Sequence, residues 1–245
     1  MSDGYGVVVI GSGPGGYTAA LEAARSGFRT ALVERRPYLG GVCLNEGCIA
    51  SKTLLSAADV LEEIERGGVF GVTASGVEQD WGRLQARRLE VIETLRAGVG
   101  GLLRAAKVDV VTGEARLGGA HEVVVTHEGV ETVLSAERVV LATGSSPIVP
   151  GPWQGVDGVL TSTEMLSIDP LPKSATLVGG GVIGCEFASM MIRFGVDVRV
   201  IEMADRLLPM ADEALSSALA DALRRQGVVL HLGRKVERIE PGGDG

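Results

Sequence analysis

Apolar residues fall along this chain in two rhythms: short unbroken runs, and longer stretches in which they recur every three or four positions. Gly6-Val7-Val8-Val9-Ile10 is an unbroken run, the pattern of a parallel strand buried on both faces. It feeds Gly11-Ser12-Gly13-Pro14-Gly15-Gly16, then a helical stretch, Tyr17–Ser26, that ends at Gly27. A second apolar run, Thr30–Val33, closes on Glu34. The same order returns as Ala175–Val178, then Gly179-Gly180-Gly181-Val182-Ile183-Gly184, a helix to Phe194, Gly195, and Val198–Ile201 closing on Glu202. Each acid follows the first glycine of its loop by 23 residues, and each helix-ending glycine follows it by 16. The chain therefore reads as an internal repeat of two strand–glycine loop–helix–strand units.

Between the repeats the pattern predicts helices at Ser51–Arg66 and Trp81–Ala106, and strands at Val108–Thr112 and Val123–Thr126. A turn at His127-Glu128-Gly129 leads to a return strand, Thr132–Leu134. A further strand from Val139 ends in the small-residue turn Ala142-Thr143-Gly144-Ser145. The proline-rich stretch from Pro147 to Pro172 suits a domain boundary. The second unit adds an amphipathic helix, Asp212–Gln226, and strands near Val228–Leu232 and Val236–Ile239. It stops at Pro241-Gly242-Gly243-Asp244-Gly245, in the middle of an expected sheet. The predicted fold class is α/β, with two tandem Rossmann-like domains over 1–149 and 150–245. The first carries an inserted helical segment and β-hairpin, and the second is incomplete.

Composition changes this picture little. The 245 residues are 45% hydrophobic, enough to bury one large or two modest cores, and the 36 glycines fit loops between short strands and helices. A net charge of −8 gives a nucleic-acid partner no electrostatic support. No window approaches the roughly 20 apolar residues of a membrane span. Met1-Ser2-Asp3-Gly4 lacks the basic start of a signal peptide, so a reducing cytoplasm is the expected setting. There a close cysteine pair is catalytic more often than structural.

The candidate chemistry lies in the glycine loops and in Cys43-Leu44-Asn45-Glu46-Gly47-Cys48. In each loop the first glycine makes the turn, the second lets backbone approach a pyrophosphate, and the third packs helix on strand. The helix N-terminus stabilises phosphate charge, and the acid after the second strand can accept from a ribose diol. Spacing alone leaves two readings for the thiols, a redox pair or two small core residues. On one regular helix, positions i and i+5 are about 7.5 Å apart in rise, beyond the roughly 4.4–6.8 Å between Cα atoms of a disulfide. A bridging Cys43 is therefore expected off the helix, with Asn45 and Gly47 supplying the backbone freedom. Cys48 then heads a helix, where the dipole favours a thiolate. Cys185 has no cysteine near it in sequence and reads as a core residue.

Gly40-Gly41-Val42-Cys43-Leu44-Asn45-Glu46-Gly47-Cys48-Ile49-Ala50-Ser51-Lys52 resembles the active-site signature of the pyridine nucleotide–disulfide oxidoreductases. Its Ile-x-Ser-Lys ending is closest to the dihydrolipoamide dehydrogenase branch. The two glycine loops, the Ala142–Ser145 turn and Glu186 follow in the family's order. The resemblance implies oxidation of dihydrolipoamide by NAD+ through a Cys43–Cys48 disulfide and FAD. FAD would lie on Gly11, Gly13, Pro14, Gly15 and Gly16. Glu34 would hold its ribose, Arg35, Gly40, Gly41 and Val42 would line it, and Ala115, Thr143, Gly144 and Ser145 would complete the cradle. Cys48 would face the flavin and Cys43 the substrate, while Lys52 would approach the flavin and pair with Glu186. NAD would lie on Gly179, Gly180, Gly181, Val182, Ile183 and Gly184, with Glu202 on its ribose and Val236 near its adenine. Glu202 favours NAD over NADP because it repels a 2′-phosphate, although Arg206 lies near. The partner would be a lipoyl-bearing protein or a small dithiol or disulfide, and no metal is called for.

Two departures from the family pattern stand out. Ala50 replaces the usual proline, and Glu46 puts a negative charge between the thiols, which opposes thiolate formation unless its side chain points to solvent. Family members are nearly twice this length, and their C-terminal part dimerises and supplies a His–Glu acid–base pair. His121, His127 and His231 match no part of it and read as structural or surface residues. The expectation is thus the N-terminal half of an enzyme, from a truncated frame, an expressed fragment or a split protein. The alternatives are a mercuric- or other disulfide-reductase-type member, or a non-catalytic FAD/NAD-binding module.

Overall fold

The computed structural model describes residues 4–240. The chain divides into two compact units. One comprises the chain through Ala50 together with Leu89–Ser146, and the other Ser51–Arg88 together with the chain from Pro147 onward. This differs from the expected 1–149 and 150–245 division by moving residues 51–88 to the second unit.

In the first unit the parallel core is β1 (Tyr5–Ile10), α1 (Pro14–Arg25), β2 (Thr30–Glu34) and α2 (Gly41–Glu46). After α3 (Cys48–Arg66) and α4 (Trp81–Ala105), within which the unit boundaries fall, come β3 (Asp109–Thr112), β4 (Glu114–Gly119), β5 (Glu122–His127) and β6 (Val130–Leu141). The strands form one sheet in the order β3-β2-β1-β6-β5-β4. β1 lies parallel between β2 and β6, and its Val8 and Val9 are fully buried, as an unbroken apolar strand requires. Val8, Ile10, Ala31 and Val33 pack with Val123, Val125, Leu134 and Ala136 in one core.

Three differences from the sequence pattern have local causes. Helix α1 begins at Pro14 rather than Tyr17, because proline is tolerated in a first turn, where its missing N–H would have no helical partner. Its C-terminus closes as expected at Gly27, with Phe28 N–H bonding Ala23 O. The separate strands expected at Thr132–Leu134 and from Val139 are one continuous β6. Its first half pairs antiparallel with β5 and its second half parallel with β1, so a single strand joins the hairpin to the parallel sheet. β4 is an addition to the expected strands: its alternation, Glu114-Ala115-Arg116-Leu117, is short and runs into Gly118-Gly119, and pairing with β5 makes it a strand. The turn at Glu128 and Gly129 has positive φ at both residues, which suits a tight two-residue hairpin.

The second unit contains a short helix α5 (Ser162–Met165), β7 (Ser174–Val178), α6 (Val182–Arg193), β8 (Asp197–Ile201), α7 (Glu213–Arg225) and β9 (Val229–His231). β7, β8 and β9 form a parallel sheet in that order. Asp212 caps α7 by accepting from Ala214 N–H at 2.9 Å. Side-chain contacts fix residues 51–88 to this unit. Arg193 on α6 pairs with Asp59 and Glu62, each at 2.6 Å, and the Trp81 ring meets Phe194 edge-on at 5.3 Å. Trp81 Nε1 donates to Ile168 O, and Gln79 donates to Phe194 O. The strand expected at Val236–Ile239 is absent, and residues 234–240 have no regular structure. A strand needs a partner for its backbone, and among the described residues none pairs with this segment. Pro241–Gly245 lies outside the described residues.

The glycine loop gives a sharp stability prediction. A Cβ on Gly16 would sit 1.8 Å from Gly11 O, whereas one on Gly15 meets nothing within 4 Å. Gly16→Ala should destabilise the protein by about 1–3 kcal/mol in urea unfolding, and Gly15→Ala should leave the midpoint unchanged or higher. Equal losses would contradict this account of the loop.

Candidate active site

Glu34, at the end of β2, is buried and accepts from both sides of the glycine loop. One carboxylate oxygen takes Ser12 N–H at 2.9 Å and the Ser12 hydroxyl at 2.5 Å, and the other takes Arg36 N–H at 2.9 Å. Burial opposes its charge, but the Ser12 hydroxyl and the N–H groups of Arg36, Ser12 and Arg35 outweigh it and hold the carboxyl below its ordinary value. Ser12, fully buried, also accepts from Gly40 N–H at 3.2 Å and so ties the loop to the start of α2. Sequence reading assigned it no role; its signal was a hydroxyl inside a glycine loop with an acid 22 residues on. Gly13 and Gly41 meet backbone to backbone, since a Cβ on Gly41 would lie 2.5 Å from Gly13 Cα. The Ala142–Ser145 turn continues from β6 against Gly11: Ala142 N–H donates to Ile10 O, and a Cβ on Gly11 would lie 2.2 Å from Ala142 O. Gly144 and its neighbours Thr143 and Ser145 are exposed. Ala115 sits on β4 opposite Val125, one hairpin strand away from β6.

The thiols are delivered by two helices rather than one. α2 is a six-residue helix ending at Glu46, Gly47 adopts φ −145 and ψ −118, and α3 begins at Cys48. Cys43 thus lies off the helix that Cys48 heads, as expected, but in a short helix of its own, and the break at Gly47 supplies the freedom. A Cβ at Gly47 would press to 3.1 Å from Val42 O, so glycine suits the break. Asn45, expected to supply flexibility, does the reverse. It is buried, its amide donates to Leu39 O at 3.0 Å and Gly41 O at 2.7 Å, and its oxygen accepts from Arg96 Nε. Arg35 and Val42 flank this segment, Val42 partly exposed and Cys43 half-buried, while Cys48 is exposed at the head of α3. Ala50 is fully buried in the first turn of α3, where its small side chain packs without the usual proline. Glu46 does not point freely into solvent: it accepts from Arg36 Nη1 at 2.7 Å and Tyr38 OH at 3.2 Å.

In the second unit the expected Lys52–Glu186 ion pair is present, and Ser51 Oγ adds a long 3.5 Å bond to Glu186. Glu202 repeats the geometry of Glu34. It accepts from Gly180 N–H at 2.6 Å and Ala204 N–H at 2.7 Å, as Glu34 does from Ser12 and Arg36. A Cβ on Gly184 would lie 2.0 Å from Gly179 O, matching Gly16 and Gly11. Gly181 caps α6, and Val182 and Ile183 are exposed in its first turn. Val236 lines a cavity of about 870 Å³ with Ile201, His231 and Arg234, and Arg234 N–H donates to Glu202 O. The Arg206 guanidinium donates to Pro209 O at 3.0 Å, within its own loop. Cys185 is buried, and burial together with Glu202 pushes its thiol up to about 11, which fits a core residue. His121 Nδ1 lies 3.1 Å from Ala136 O, and His127 and His231 end strands β5 and β9.

Two glycine loops, each opening a helix and each clasped by a strand-end carboxylate, repeat one Rossmann-like architecture along the chain, and the first is followed by two thiols. The family described as pyridine nucleotide-disulphide oxidoreductase matches residues 5–244, and the chain belongs to that family. It is 41% identical to the dihydrolipoyl dehydrogenase of Acholeplasma laidlawii over 98% of this chain and 72% of that protein. It is 42% identical to a dihydrolipoyl dehydrogenase of Bacillus subtilis over 96% of this chain and 52% of that protein. The fold is similar to that of a copper(II) complex of the HOCl-induced flavoprotein disulfide reductase RclA from Escherichia coli. The TM-score is 0.84 and the identity 33%, over 98% of this chain and 51% of that one. The chain thus spans about half the length of most relatives it matches. Among the described residues no helix is long and apolar enough to cross a membrane, and no group of three or more metal-ligating side chains occurs.

The clasp on Glu34 predicts an acid dependence. A carboxyl held below its ordinary value of 4.5 contributes stability above that pH and loses it as pH falls through the folded-state value. The stability gap between the parent protein and Glu34→Gln should be widest near neutrality and narrow below pH 4.5. A gap that widens in acid, in urea unfolding across pH, would show the reverse sign.

Proposed function

We propose that the protein oxidises a dihydrolipoyl-type dithiol with NAD+ through a Cys43–Cys48 disulfide and FAD, the first unit binding FAD and the second NAD. The observation that carries this reading is the backbone contact of Gly13 with Gly41. It places the start of the thiol-bearing helix α2 against the glycine loop. The loop fits the nucleotide. Gly15 faces open space at the start of α1, where N–H groups favour phosphate oxygens. Glu34 would stand beside the ribose at the end of β2, with Ser12, Arg35 and Arg36 donating to its carboxylate. When bound, FAD would supply a two-electron acceptor that passes a hydride on to NAD+.

The residues of this chain do the sulfur chemistry. A substrate thiolate attacks Cys43 Sγ of the disulfide, and Cys48 leaves as a thiolate at the N-terminus of α3, where the helix dipole favours its charge. The second substrate thiol loses its proton and attacks the substrate sulfur of the mixed disulfide, closing the cyclic disulfide and releasing Cys43. Two electrons pass to the cysteine pair, and the substrate gives up two protons. Lys52 lies one turn beyond Cys48 on α3, and its ion pair with Glu186 orients its ammonium. Arg35, Val42, Thr143, Gly144, Ser145 and Ala115 are assigned to FAD, and Gly179–Gly184, Glu202 and Val236 to NAD. Support for NAD over NADP is the Glu202 carboxylate at the strand end and the engagement of Arg206 with Pro209 O. A lipoyl-bearing protein, or a small dithiol or disulfide, is the proposed partner.

Two measurements test this reading. Oxidation should remove two titratable thiols from the FAD-reconstituted protein, reductant should restore them, and Cys43→Ser or Cys48→Ser should abolish the change. An unchanged titre would defeat the disulfide assignment. Fluorescence titration should show NADH bound about tenfold tighter than NADPH, with the preference narrowed in Glu202→Gln; equal binding by the parent would refute the NAD assignment.

A further inference from the structure

Glu46 is the charged residue of the thiol signature that the proposed chemistry leaves unused, and its position is adverse. It follows Cys43 by three residues on α2, so the two side chains are neighbours on that helix. A bare carboxylate there disfavours a thiolate.

The surroundings answer that charge. Arg36 Nη1 donates to Glu46 Oε1 at 2.7 Å, and Tyr38 OH donates to the same oxygen at 3.2 Å. Both come from the segment after β2, and Arg36 is itself anchored by its N–H on Glu34. From α4, Arg96 lies over the Tyr38 ring at 4.2 Å and donates to Asn45, the residue before Glu46. The charged groups facing Glu46 are thus Arg36 directly and Arg96 across the Tyr38 ring. The Arg36 and Glu46 side chains are only 30% and 23% exposed, so the pair is less screened than a surface contact. The Arg36 guanidinium is charged throughout the working range of a thiol, and its hydrogen bond to Glu46 raises its basicity further.

We propose that Arg36 is a positioning residue of the cysteine pair: with Tyr38 it draws the Glu46 carboxylate onto itself, keeps that charge off Cys43, and ties the end of α2 to the segment after β2. This deepens the disulfide reading and rests on it for its consequence in turnover. Arg36 touches neither substrate nor the reacting sulfur; it acts through Glu46.

The test is iodoacetamide alkylation of the reduced full chain across pH, with Cys43 and Cys48 resolved by peptide mass spectrometry. Arg36→Ala should raise the alkylation midpoint of Cys43 by about half to one pH unit. Arg36→Lys, which keeps the charge, should restore most of the shift, and Arg36→Ala combined with Glu46→Gln should return to the parent profile. Glu46→Gln alone should leave the midpoint at or below the parent's. An unmoved midpoint in Arg36→Ala, no recovery in the double variant, or an upward shift in Glu46→Gln would each overturn the proposal. The outcome is separable from the fate of the disulfide reading. If that reading fails, oxidation removes no thiol pair, yet the reduced-state profiles still shift. If the proposal fails, the thiol pair is consumed and the profiles coincide.

Discussion

A carboxylate that closes a glycine loop onto the end of a strand is the constraint on which both units depend. Glu34 and Glu202 each take the N–H of the residue after the first loop glycine on one oxygen and the N–H two residues downstream on the other. Glycine loops have few side chains to hold them, and backbone entropy works against any one conformation. A carboxylate with charge-assisted bonds to the loop's own N–H groups fixes the loop without filling the space a nucleotide would need. The last glycine of each loop, Gly16 or Gly184, then lets the helix pack against the first glycine's carbonyl, where a methyl group would collide.

The first unit builds its thiol site outward from this clasp. Ser12 passes the connection from Glu34 to Gly40, and Gly41 meets Gly13, so the start of α2 is set by the loop itself. Asn45 pins α2 through two backbone carbonyls, and Gly47 turns the chain into α3. Each piece uses a different physical device: a hydroxyl bridge, a contact that only glycine allows, a side-chain amide and a helix break. Together they define the position of both cysteines before any cofactor is considered. The Arg36–Glu46 pair fits this pattern, because it offsets a charge that the signature alone would place badly.

The second unit shows how far the same repeat can be extended by side chains distant in sequence. Residues 51–88 were read as an insertion in the first domain, yet Arg193, Phe194, Ile168 and Leu166 all bond or pack with them. The Lys52–Glu186 pair belongs to the same set of contacts. It was legible because family resemblance pairs a lysine and a glutamate at those motif positions. The Arg193 ion pairs had no such signal, since Asp59 and Glu62 look like an ordinary solvated helix face.

By itself the sequence determined the elements whose physics is local. Unbroken apolar runs made parallel strands, buried in β1 and β2, and glycine loops with an acid 23 residues on made two nucleotide-type turns. The Asp212 cap and Gly27 stop set helix ends near their expected places. Only tertiary structure decided what depends on partners far along the chain. β4 exists because β5 pairs with it, whereas Val236–Ile239 has no pairing strand among the described residues and forms none. β6 is one strand because β5 and β1 take its two halves. Cys43 stands in a helix because backbone and amide contacts outside the signature hold α2 there. Glu46 faces Arg36 and Tyr38, a pairing that no spacing rule encodes. Local rules act through backbone sterics and periodicity within a few residues, while pairing and charge compensation need groups that only folding brings together.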